Sequence, residues 1–331
     1  MIIVTGGAGF IGSAMVWKLN QMGRDDIVIV DSLGHSEKWK NLVALRYRDY
    51  IEKDDFLELV LHGQIEQRFD LGEKGIEAIL HMGACSSTTE LDARYLVHNN
   101  FEYTKHMARL ALHSDARFIY ASSAATYGDG ENGFADDESA LDGLRPLNMY
   151  GYSKQMFDQW ARREGILDQI VGLKFFNVFG PNEYHKGEMS SLVIKAYHQI
   201  LETGKIGLFK SYRPEYEHGE QKRDFVYVKD VVDMSLFFLE NRQANGIFNI
   251  GSSGASTWNE LAGAIFSALN RDPVIEYVEM PEHLKAKYQY YTCSDVSKLR
   301  AAGFEQSQTS LCDAVRDYVV NYLVPSRHLG D

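Results

Sequence analysis

Residues 1–12 read MIIVTGGAGFIG. The apolar run at 1–4 predicts a buried parallel strand, and Gly6, Gly9 and Gly12 then follow on a G-x-x-G-x-x-G spacing, at the start of a predicted amphipathic helix. Glycines at these points permit a tight turn, a close approach of the backbone to a phosphate and close packing of the helix on the strand. The free amides and the dipole at the helix start favour an anionic ligand. The stretch therefore indicates a pyrophosphate site.

A second apolar strand is predicted at 27–30, and it ends in Asp31, nineteen residues after Gly12. A dinucleotide-binding fold places a carboxylate at this distance to meet the adenosine ribose. A glycine-rich turn without a ligand is the alternative, but it does not account for the second strand and its terminal Asp. The two strands together predict dinucleotide binding.

The composition narrows the class of protein. The chain has 331 residues, 45% of them hydrophobic, and a net charge of −12, which suits one large α/β domain with or without a smaller lobe. No basic stretch suggests a nucleic-acid partner. The three cysteines are far apart and indicate neither a disulfide framework nor a metal site. We find no signal peptide and no apolar run of the ~20 residues that span a bilayer, so we expect a cytoplasmic protein without a membrane partner.

Strands and helices alternate along the rest of the first half. Further strands are predicted at 77–81, 117–121 and 170–176, with helices between them, and this order predicts a doubly wound parallel sheet of the Rossmann type. We assign residues 1–180 plus 222–251 to the dinucleotide-binding Rossmann domain. Residues 181–221 plus 252–331 are predicted to form a smaller C-terminal α/β lobe that binds the substrate.

Two polar residues on a predicted helix suggest proton transfer. Tyr150 and Lys154 lie four residues apart, which places both on one helix face. An ammonium beside a phenol favours the phenolate, so we expect the pKa of Tyr150 to be lowered from its usual ~10. Such a phenol can exchange a proton with a sugar hydroxyl, and Ser123, at the end of a predicted strand, can hydrogen-bond the same hydroxyl. A pair on the helix surface is the alternative.

Other polar residues interrupt predicted buried elements. His81 ends a strand, and we interpret it as a hydrogen-bonded packing residue. Asn99 and Asn100 break the apolar stripe of a helix predicted at 91–113. Because buried amides must be bonded, we expect one of them to tie this helix to the neighbouring strand that carries catalytic residues.

Several motifs together carry a family resemblance that covers essentially the whole chain: residues 5–12, Asp31, Ser123, 127–128, Tyr150, Lys154, Asn177, 180–181 and 223–228. On these residues the chain resembles the extended short-chain dehydrogenase/reductase family of nucleotide-sugar epimerases and dehydratases. The stretches GACSSTTE at 83–90, YASSAATYG at 120–128, PLNMYGYSK at 146–154 and HKG at 185–187 look like the members that act on an ADP-linked heptose.

The resemblance implies an isomerase that performs a redox epimerisation. The implied reaction inverts C6 of ADP-D-glycero-D-manno-heptose through a transient 6-keto species, on one tightly bound nicotinamide per chain, and supplies heptose for the lipopolysaccharide core. In similar enzymes a tyrosine and a lysine serve the two faces of the carbon, and these match Tyr150 and Lys186. A lysine base needs a pKa lowered by burial or a nearby cation, for which Lys154 is a candidate. A phosphate contact or a surface position is the alternative for Lys186.

The resemblance also implies the residues that line the two ligands. The cofactor is expected to contact Gly6, Gly9, Phe10, Ile11, Gly12, Asp31, Ser32, Lys38, Lys53, Met82, Gly83, Ala84, Cys85, Ser86, Asn99, Lys154, Val178 and Lys186. The substrate is expected to contact Asn177, Glu188, Lys195, Phe209, Lys210, Ser211, Tyr212, Arg223 and Tyr288. The forked donors of Arg223 suit a diphosphate.

The choice of cofactor is less direct. Asp31 favours a free ribose 2′-hydroxyl and hence NAD. Similar enzymes use NADP, with lysines that match Lys38 and Lys53 beside the 2′-phosphate, so the resemblance favours NADP and leaves NAD open. It also suggests a homo-oligomer such as a pentamer.

Three alternative functions are weighed. A 4,6-dehydratase needs an acidic pair directly after the strand-end serine, where this chain has Ala124 and Ala125. A UDP-hexose 4-epimerase shares the serine, tyrosine and lysine but gives no reason for the HKG stretch, and it is the second choice. A non-enzymatic dinucleotide sensor is disfavoured because Tyr150 and Lys154 are both present.

Overall fold

A parallel sheet forms the centre of the molecule in the computed structural model, which describes residues 1–69, 71, 75–285 and 288–331. The described strands are β1 Ile2–Thr5, β2 Ile27–Asp31, β3 Asp49–Glu52, β4 Ala78–His81, β5 Arg117–Ser123, β6 Ile170–Phe175, β7 Asn177–Phe179, β8 Ile206–Phe209, β9 Lys222–Arg223, β10 Phe225–Tyr227, β11 Gly246–Ile250, β12 Ser256–Thr257 and β13 Ile275–Val278. Seven of them make one sheet in the order β11-β6-β5-β4-β1-β2-β3. The order reverses between β1 and β4, and in such sheets ligands bind beyond the carboxyl ends of the strands at the reversal.

Helices cover both faces of this sheet. The described α-helices are α1 Phe10–Gln21, α2 Lys53–Leu61, α3 Ile65–Arg68, α4 Ala93–Leu96, α5 Tyr103–His113, α6 Met149–Arg163, α7 Leu192–Thr203, α8 Val228–Glu240, α9 Trp258–Ala268, α10 Glu282–Lys285, α11 Ser297–Ala301 and α12 Leu311–Tyr318. Short 3-10 helices lie at Glu37–Leu42, Ala124–Tyr127, Glu138–Gly143 and Tyr184–Met189, and π-helical turns at Val97–Glu102 and Val319–Leu323. No helix in the described ranges is long and apolar enough to cross a membrane.

Two hydrophobic cores lie on opposite faces of the sheet. Along β1, Ile2 and Val4 belong to one core, with residues of α1, α8 and α9. Ile3 belongs to the other, with Phe56 of α2 and Phe157 of α6. Alternate residues of a strand point to opposite faces, so a continuous apolar strand is what a sheet covered on both faces requires.

The fold confirms the predicted doubly wound sheet and differs from the prediction in detail. The short strand β3 and helix α3 were not predicted. The helix predicted at 91–113 is divided by the π-helical turn at Val97–Glu102, and the family motif at 223–228 includes parts of the two strands β9 and β10. Outside the main sheet, β7 pairs with β10, β9 with β12, and β8 with β13.

Candidate active site

A cavity of about 860 Å³ lies at the carboxyl ends of β1, β4, β5 and β6. Every residue predicted to contact the cofactor lines it, and so do the four predicted catalytic residues Ser123, Tyr150, Lys154 and Lys186. These residues come from segments that are distant in the chain. The sheet brings them together because parallel strands end at the same edge.

Glycines form one wall of the cavity. Gly6 has φ of +66°, and a Cβ atom there would lie 2.6 Å from the backbone nitrogen of Gly83. A Cβ at Gly12 would overlap the carbonyl oxygen of Gly6. Larger residues at either position would force β1, α1 and the loop after β4 apart, so the backbone cradle exists because these residues have no side chain.

Asp31 lies at the far end of this cradle. Its Oδ2 accepts a hydrogen bond from the amide of Ala8 (2.9 Å), and its Oδ1 accepts from the amide of Ser32 and from Lys38 Nζ, both at 2.7 Å. Lys53 also lines the cavity, and its Nζ lies 2.6 Å from Asp54 Oδ1. A carboxylate paired with one ammonium group, and a second ammonium group, therefore line the cavity that would hold the adenosine ribose of a dinucleotide.

Helix α6 carries Tyr150 and Lys154 against strand β5. Asn148 caps the helix, with its Oδ1 accepting from the amide of Gly151 at 2.8 Å. A Cβ at Gly151 would lie 2.7 Å from the carbonyl oxygen of Ala125, so the glycine allows α6 to approach the segment after β5 closely. Lys154 Nζ donates to the carbonyl of Ala121 (2.7 Å), and the Tyr150 side chain is hydrogen-bonded to Ser123.

The predicted lowering of the Tyr150 pKa is wrong for this structure. Burial raises the pKa of Tyr150, and the hydrogen bond with Ser123 opposes this rise only in part. Burial also lowers the pKa of Lys154 to about 8, against the attraction of Asp158 and Cys85. The Lys154 ammonium is directed to the carbonyl of Ala121. At both Tyr150 and Lys154, desolvation shifts the pKa more than the nearby charges do.

Lys186 enters the cavity from the 3-10 helix Tyr184–Met189. Its Nζ lies 5.2 Å from the centre of the Phe10 ring. Burial lowers the pKa of Lys186, Glu183 opposes this, and Lys195 lowers it further. The neighbouring cation is thus Lys195, and the prediction that Lys154 has this role is wrong.

A buried carboxylate anchors the segment that carries Lys186. Glu183 is fully buried, and its two oxygens accept hydrogen bonds from the amide and the hydroxyl of Ser191, both at 2.6 Å. Its Oε1 also accepts from the amide of Gly180 at 3.3 Å. These bonds join the start of the segment to the start of α7, so Lys186 lies in a loop whose two ends are fixed.

The predicted substrate contacts divide into two groups. Asn177 and Lys195 line the cavity. Glu188 is fully exposed at the surface, and its carbonyl accepts from Lys195 Nζ at 2.5 Å. The remaining predicted residues lie outside the cavity lining: Phe209, Lys210, Ser211, Tyr212, Arg223 and Tyr288.

Arg223, Tyr288 and Phe209 belong to an aromatic cluster that adjoins the cavity through Trp258. The guanidinium carbon of Arg223 lies 5.1 Å from the centre of the Tyr288 ring and 5.7 Å from that of Trp258. Trp258 itself lines the cavity, and its Nε1 donates to the hydroxyl of Tyr288 at 2.9 Å. A buried cation beside aromatic rings is suited to an anionic, aromatic ligand such as a nucleotide.

A family model described as the NAD dependent epimerase/dehydratase family matches residues 2–251. The chain belongs to this family. It is 56% identical over 323 residues to the ADP-L-glycero-D-manno-heptose-6-epimerase of Nitratidesulfovibrio vulgaris, covering 98% of each chain. It is 49% identical over 332 residues to the protein of the same name from Fusobacterium nucleatum, again covering 98% of each. The crystal structure of the Helicobacter pylori ADP-L-glycero-D-manno-heptose-6-epimerase superimposes with a TM-score of 0.79, at 25% identity, over 97% of this chain and 95% of that one.

The site fits the nicotinamide dinucleotide of the epimerase/dehydratase family. The cradle at Gly6 and Gly12 has no room for a Cβ atom, so a pyrophosphate can approach the start of α1 closely. Asp31, Tyr150 and Lys186 line the same cavity. The protein is therefore a nicotinamide-dependent enzyme of this family.

Two polar residues behind the cavity have structural roles. His81 is buried, with Nδ1 2.6 Å from Thr5 Oγ1 and Nε2 2.9 Å from Thr104 Oγ1, which confirms its interpretation as a packing residue. Asn100 exchanges two hydrogen bonds with the backbone of Cys85, and its Nδ2 also lies 3.0 Å from Ser153 Oγ. It therefore ties its helix to the loop after β4 and to α6, whereas the prediction named a neighbouring strand.

Sequence reasoning missed Trp258 and Phe225, which both line the cavity. For Trp258 a signal was present, because Thr257 and Glu260 form a capping box that begins α9 at Trp258. The T-x-x-E spacing thus placed the tryptophan in the first turn of a helix. Nothing local marked Phe225, whose strand pairs with β7 across nearly fifty residues of chain.

Proposed function

We propose that this protein inverts C6 of ADP-D-glycero-D-manno-heptose to give the L-glycero epimer, through a transient 6-keto species. The observation that carries the proposal is the high identity, over nearly the whole chain, to relatives named for this activity. The site supports it, since Tyr150 and Lys186, two groups able to transfer protons, line one cavity. The product is proposed to supply heptose for lipopolysaccharide.

The proposed chemistry uses the chain's own residues for proton transfer. A bound nicotinamide supplies the acceptor and the donor of hydride. Tyr150 takes the proton of the C6 hydroxyl as the alcohol becomes a ketone, and Ser123 holds the same oxygen by a hydrogen bond. After the ketone has turned its other face, Lys186 donates the proton that restores the hydroxyl. The alcohol first loses and then regains one hydride and one proton, so no net oxidation occurs.

Lys186 is suited to this role by its surroundings. A base needs a neutral fraction near neutral pH, and burial together with Lys195 lowers the pKa of Lys186 towards that range. Glu183 opposes the shift, so the lysine can be protonated again. A lysine whose pKa is lowered can serve as acid in one direction and as base in the other.

For the cofactor we propose NADP rather than NAD. Lys38 pairs with Asp31 at 2.7 Å and so offsets the carboxylate that would repel a 2′-phosphate. Lys53 also lines the cavity. Denaturing the purified protein and identifying the released dinucleotide tests the proposal: NADP supports it, and NAD overturns it.

The division into lobes and the assembly also remain proposals. We propose that residues 1–180 plus 222–251 bind the dinucleotide and that residues 181–221 plus 252–331 bind the sugar nucleotide. All seven strands of the main sheet belong to the first set of residues. Helices α7 and α12 both pack against α9, and these three helices belong to the second set. The proposed homo-oligomer, such as a pentamer, is tested by analytical ultracentrifugation.

A proton NMR time course tests the function. The purified protein is mixed with ADP-D-glycero-D-manno-heptose and no added cofactor. We expect the 6-epimer to accumulate to equilibrium. An unchanged sugar, even with NADP and NAD supplied, would reject the heptose proposal, and UDP-hexoses would then be tried for 4-epimerisation.

A further inference from the structure

A buried ion pair lies behind the catalytic helix and outside the cavity lining. Asp158 of α6 and Lys174 of β6 are 0% and 1% exposed, and Lys174 Nζ lies 3.6 Å from Asp158 Oδ2. Lys174 also donates to Thr126 Oγ1 at 2.6 Å, and its Nζ lies 4.4 Å from the centre of the Tyr127 ring. Buried ion pairs contribute little net stability compared with apolar residues of similar size, so this pair calls for another explanation.

The pair continues the row of contacts that holds the catalytic residues. Tyr150, Lys154 and Asp158 lie at positions i, i+4 and i+8 of α6, which form one stripe on the helix. Each binds strand β5. Tyr150 is hydrogen-bonded to Ser123, and Lys154 donates to the carbonyl of Ala121.

Asp158 makes the third contact of this row. Its Oδ2 accepts from the hydroxyl of Ser122 (2.7 Å), and its Oδ1 accepts from that of Tyr120 (2.9 Å). The carboxylate thus binds the residue between the two that hold Lys154 and Tyr150. A shift of α6 along β5 would break all three contacts together.

The pair also sets the charge around Lys154. Asp158 attracts the Lys154 ammonium, and Cys85 does so from the loop after β4, while His81 of β4 is also near. Asp158 in turn faces Lys174, Tyr120 and Lys154. The groups that face Lys174 are Asp158, Asp136 and Tyr127. The carboxylate therefore interacts with two buried cations, Lys154 on its own helix α6 and Lys174 on strand β6.

We propose that Asp158 and Lys174 are positioning residues for the reaction: they fix α6 on β5, and their opposite charges set the fraction of Lys154 that is protonated. The proposal rests on the proposed function, since it assigns a role within the same reaction. Removing the carboxylate leaves two cations close together and favours neutral Lys154. Removing the Lys174 charge leaves the carboxylate to attract Lys154 alone and favours the ammonium.

The test compares the pH dependence of kcat in Asp158→Asn, Lys174→Met and the double variant. If activity at high pH is lost when Lys154 loses its proton, Asp158→Asn should move this loss to lower pH by about one unit, the usual effect of one nearby charge. Lys174→Met should move it in the opposite direction. The double variant should return it to within about 0.3 unit of the wild type. If Asp158→Asn does not fold, Lys174→Met and the double variant carry the comparison.

Ser122→Ala is the matched control, because it breaks a hydrogen bond of Asp158 and leaves every charge in place. We expect it to lower kcat with little change in KM and without a shift of the alkaline limb. Shifts of the same sign in both charge variants, or no shift in either, would overturn the electrostatic role.

A second readout separates this proposal from the proposed function. The pKa of Lys154 is followed by NMR of [13Cε]lysine-labelled protein, with its signal assigned by its loss in Lys154→Met. Opposite shifts in the two variants support the proposal even if ADP-heptose is not a substrate. Unchanged titration with full heptose epimerase activity rejects the proposal and leaves the function standing.

Discussion

The two proposed proton-transfer groups lie in one cavity but are held in different ways. Tyr150 lies on a 15-residue helix that is bound along β5 by hydrogen bonds. Lys186 lies on a short 3-10 helix whose neighbour Gly187 has φ of +52° and interrupts it. The first group is fixed by regular elements. Lys186 lies in a segment whose start is held by the buried Glu183, and the charges of Glu183 and Lys195 act on its ammonium group. The comparison indicates that hydrogen bonds of regular elements fix the position of Tyr150, whereas nearby charges adjust the pKa of Lys186.

The largest effect is expected at the rigid end. Tyr150→Phe removes the phenol proton while keeping the ring, so kcat should fall by about 10⁴-fold, the upper range for a general acid–base group. The dinucleotide should copurify as in the wild type, which is checked by its absorbance after denaturation. Retention of more than a tenth of the activity would remove Tyr150 from the mechanism.

A somewhat smaller loss is expected at the loop end. Lys186→Met keeps the length and apolar packing of the side chain over Phe10, and kcat should fall by about 10³-fold because the second proton transfer is lost. Steady-state kinetics on ADP-heptose separates the alternatives. A raised KM with unchanged kcat would instead make Lys186 a phosphate contact.

Gly151 tests whether helix α6 needs its close approach to the segment after β5. A Cβ at this position would lie 2.7 Å from the carbonyl of Ala125, and overpacking of this kind costs about 1–3 kcal/mol. Gly151→Ala should therefore lower the midpoint of thermal unfolding and reduce kcat. Gly143→Ala is the control, since a Cβ there meets no atom within 4 Å. Equal effects of the two substitutions would contradict the packing argument.

The smallest effect concerns the charge around Lys186. Because Lys195 lowers the pKa of Lys186, Lys195→Gln should raise that pKa. When the reaction is run from the L-glycero epimer, in which Lys186 accepts the proton, the acidic limb of the pH–kcat profile should then move to higher pH. Lys195 is 42% exposed and screened by solvent, so the shift should be about half a pH unit and should shrink at high salt. A shift of this limb to lower pH would contradict the conclusion that Lys195 lowers the pKa of Lys186.

The sequence was sufficient where spacing along one element decides geometry. Gly6, Gly9 and Gly12 predicted the cradle, and the four-residue spacing of Tyr150 and Lys154 predicted their common helix face. The predicted sheet is confirmed because alternating strands and helices restrict the topology. The wrong pKa direction for Tyr150 has a physical cause: spacing reports which groups are near, whereas the depth of burial depends on the whole fold.

The rest of the site depends on contacts between distant segments. Lys195, which acts on Lys186, lies on a separate helix. Lys174, which pairs with Asp158, lies on a separate strand. Trp258 joins the cavity to Arg223, although β9 and β12, the strand that precedes Trp258, become neighbours only in the fold. No local pattern encodes such pairs, so they had to be read from the structure.

The most direct test of the account is the fate of the hydrogen at C6. The reaction is run with ADP-D-glycero-D-manno-heptose in D₂O and followed by proton NMR. A redox epimerisation through a 6-keto species returns the same hydrogen as hydride, so we predict that the L-glycero product keeps protium at C6. Deuterium at C6 of the product would show that the hydrogen leaves as a proton, and this result would contradict the proposed mechanism.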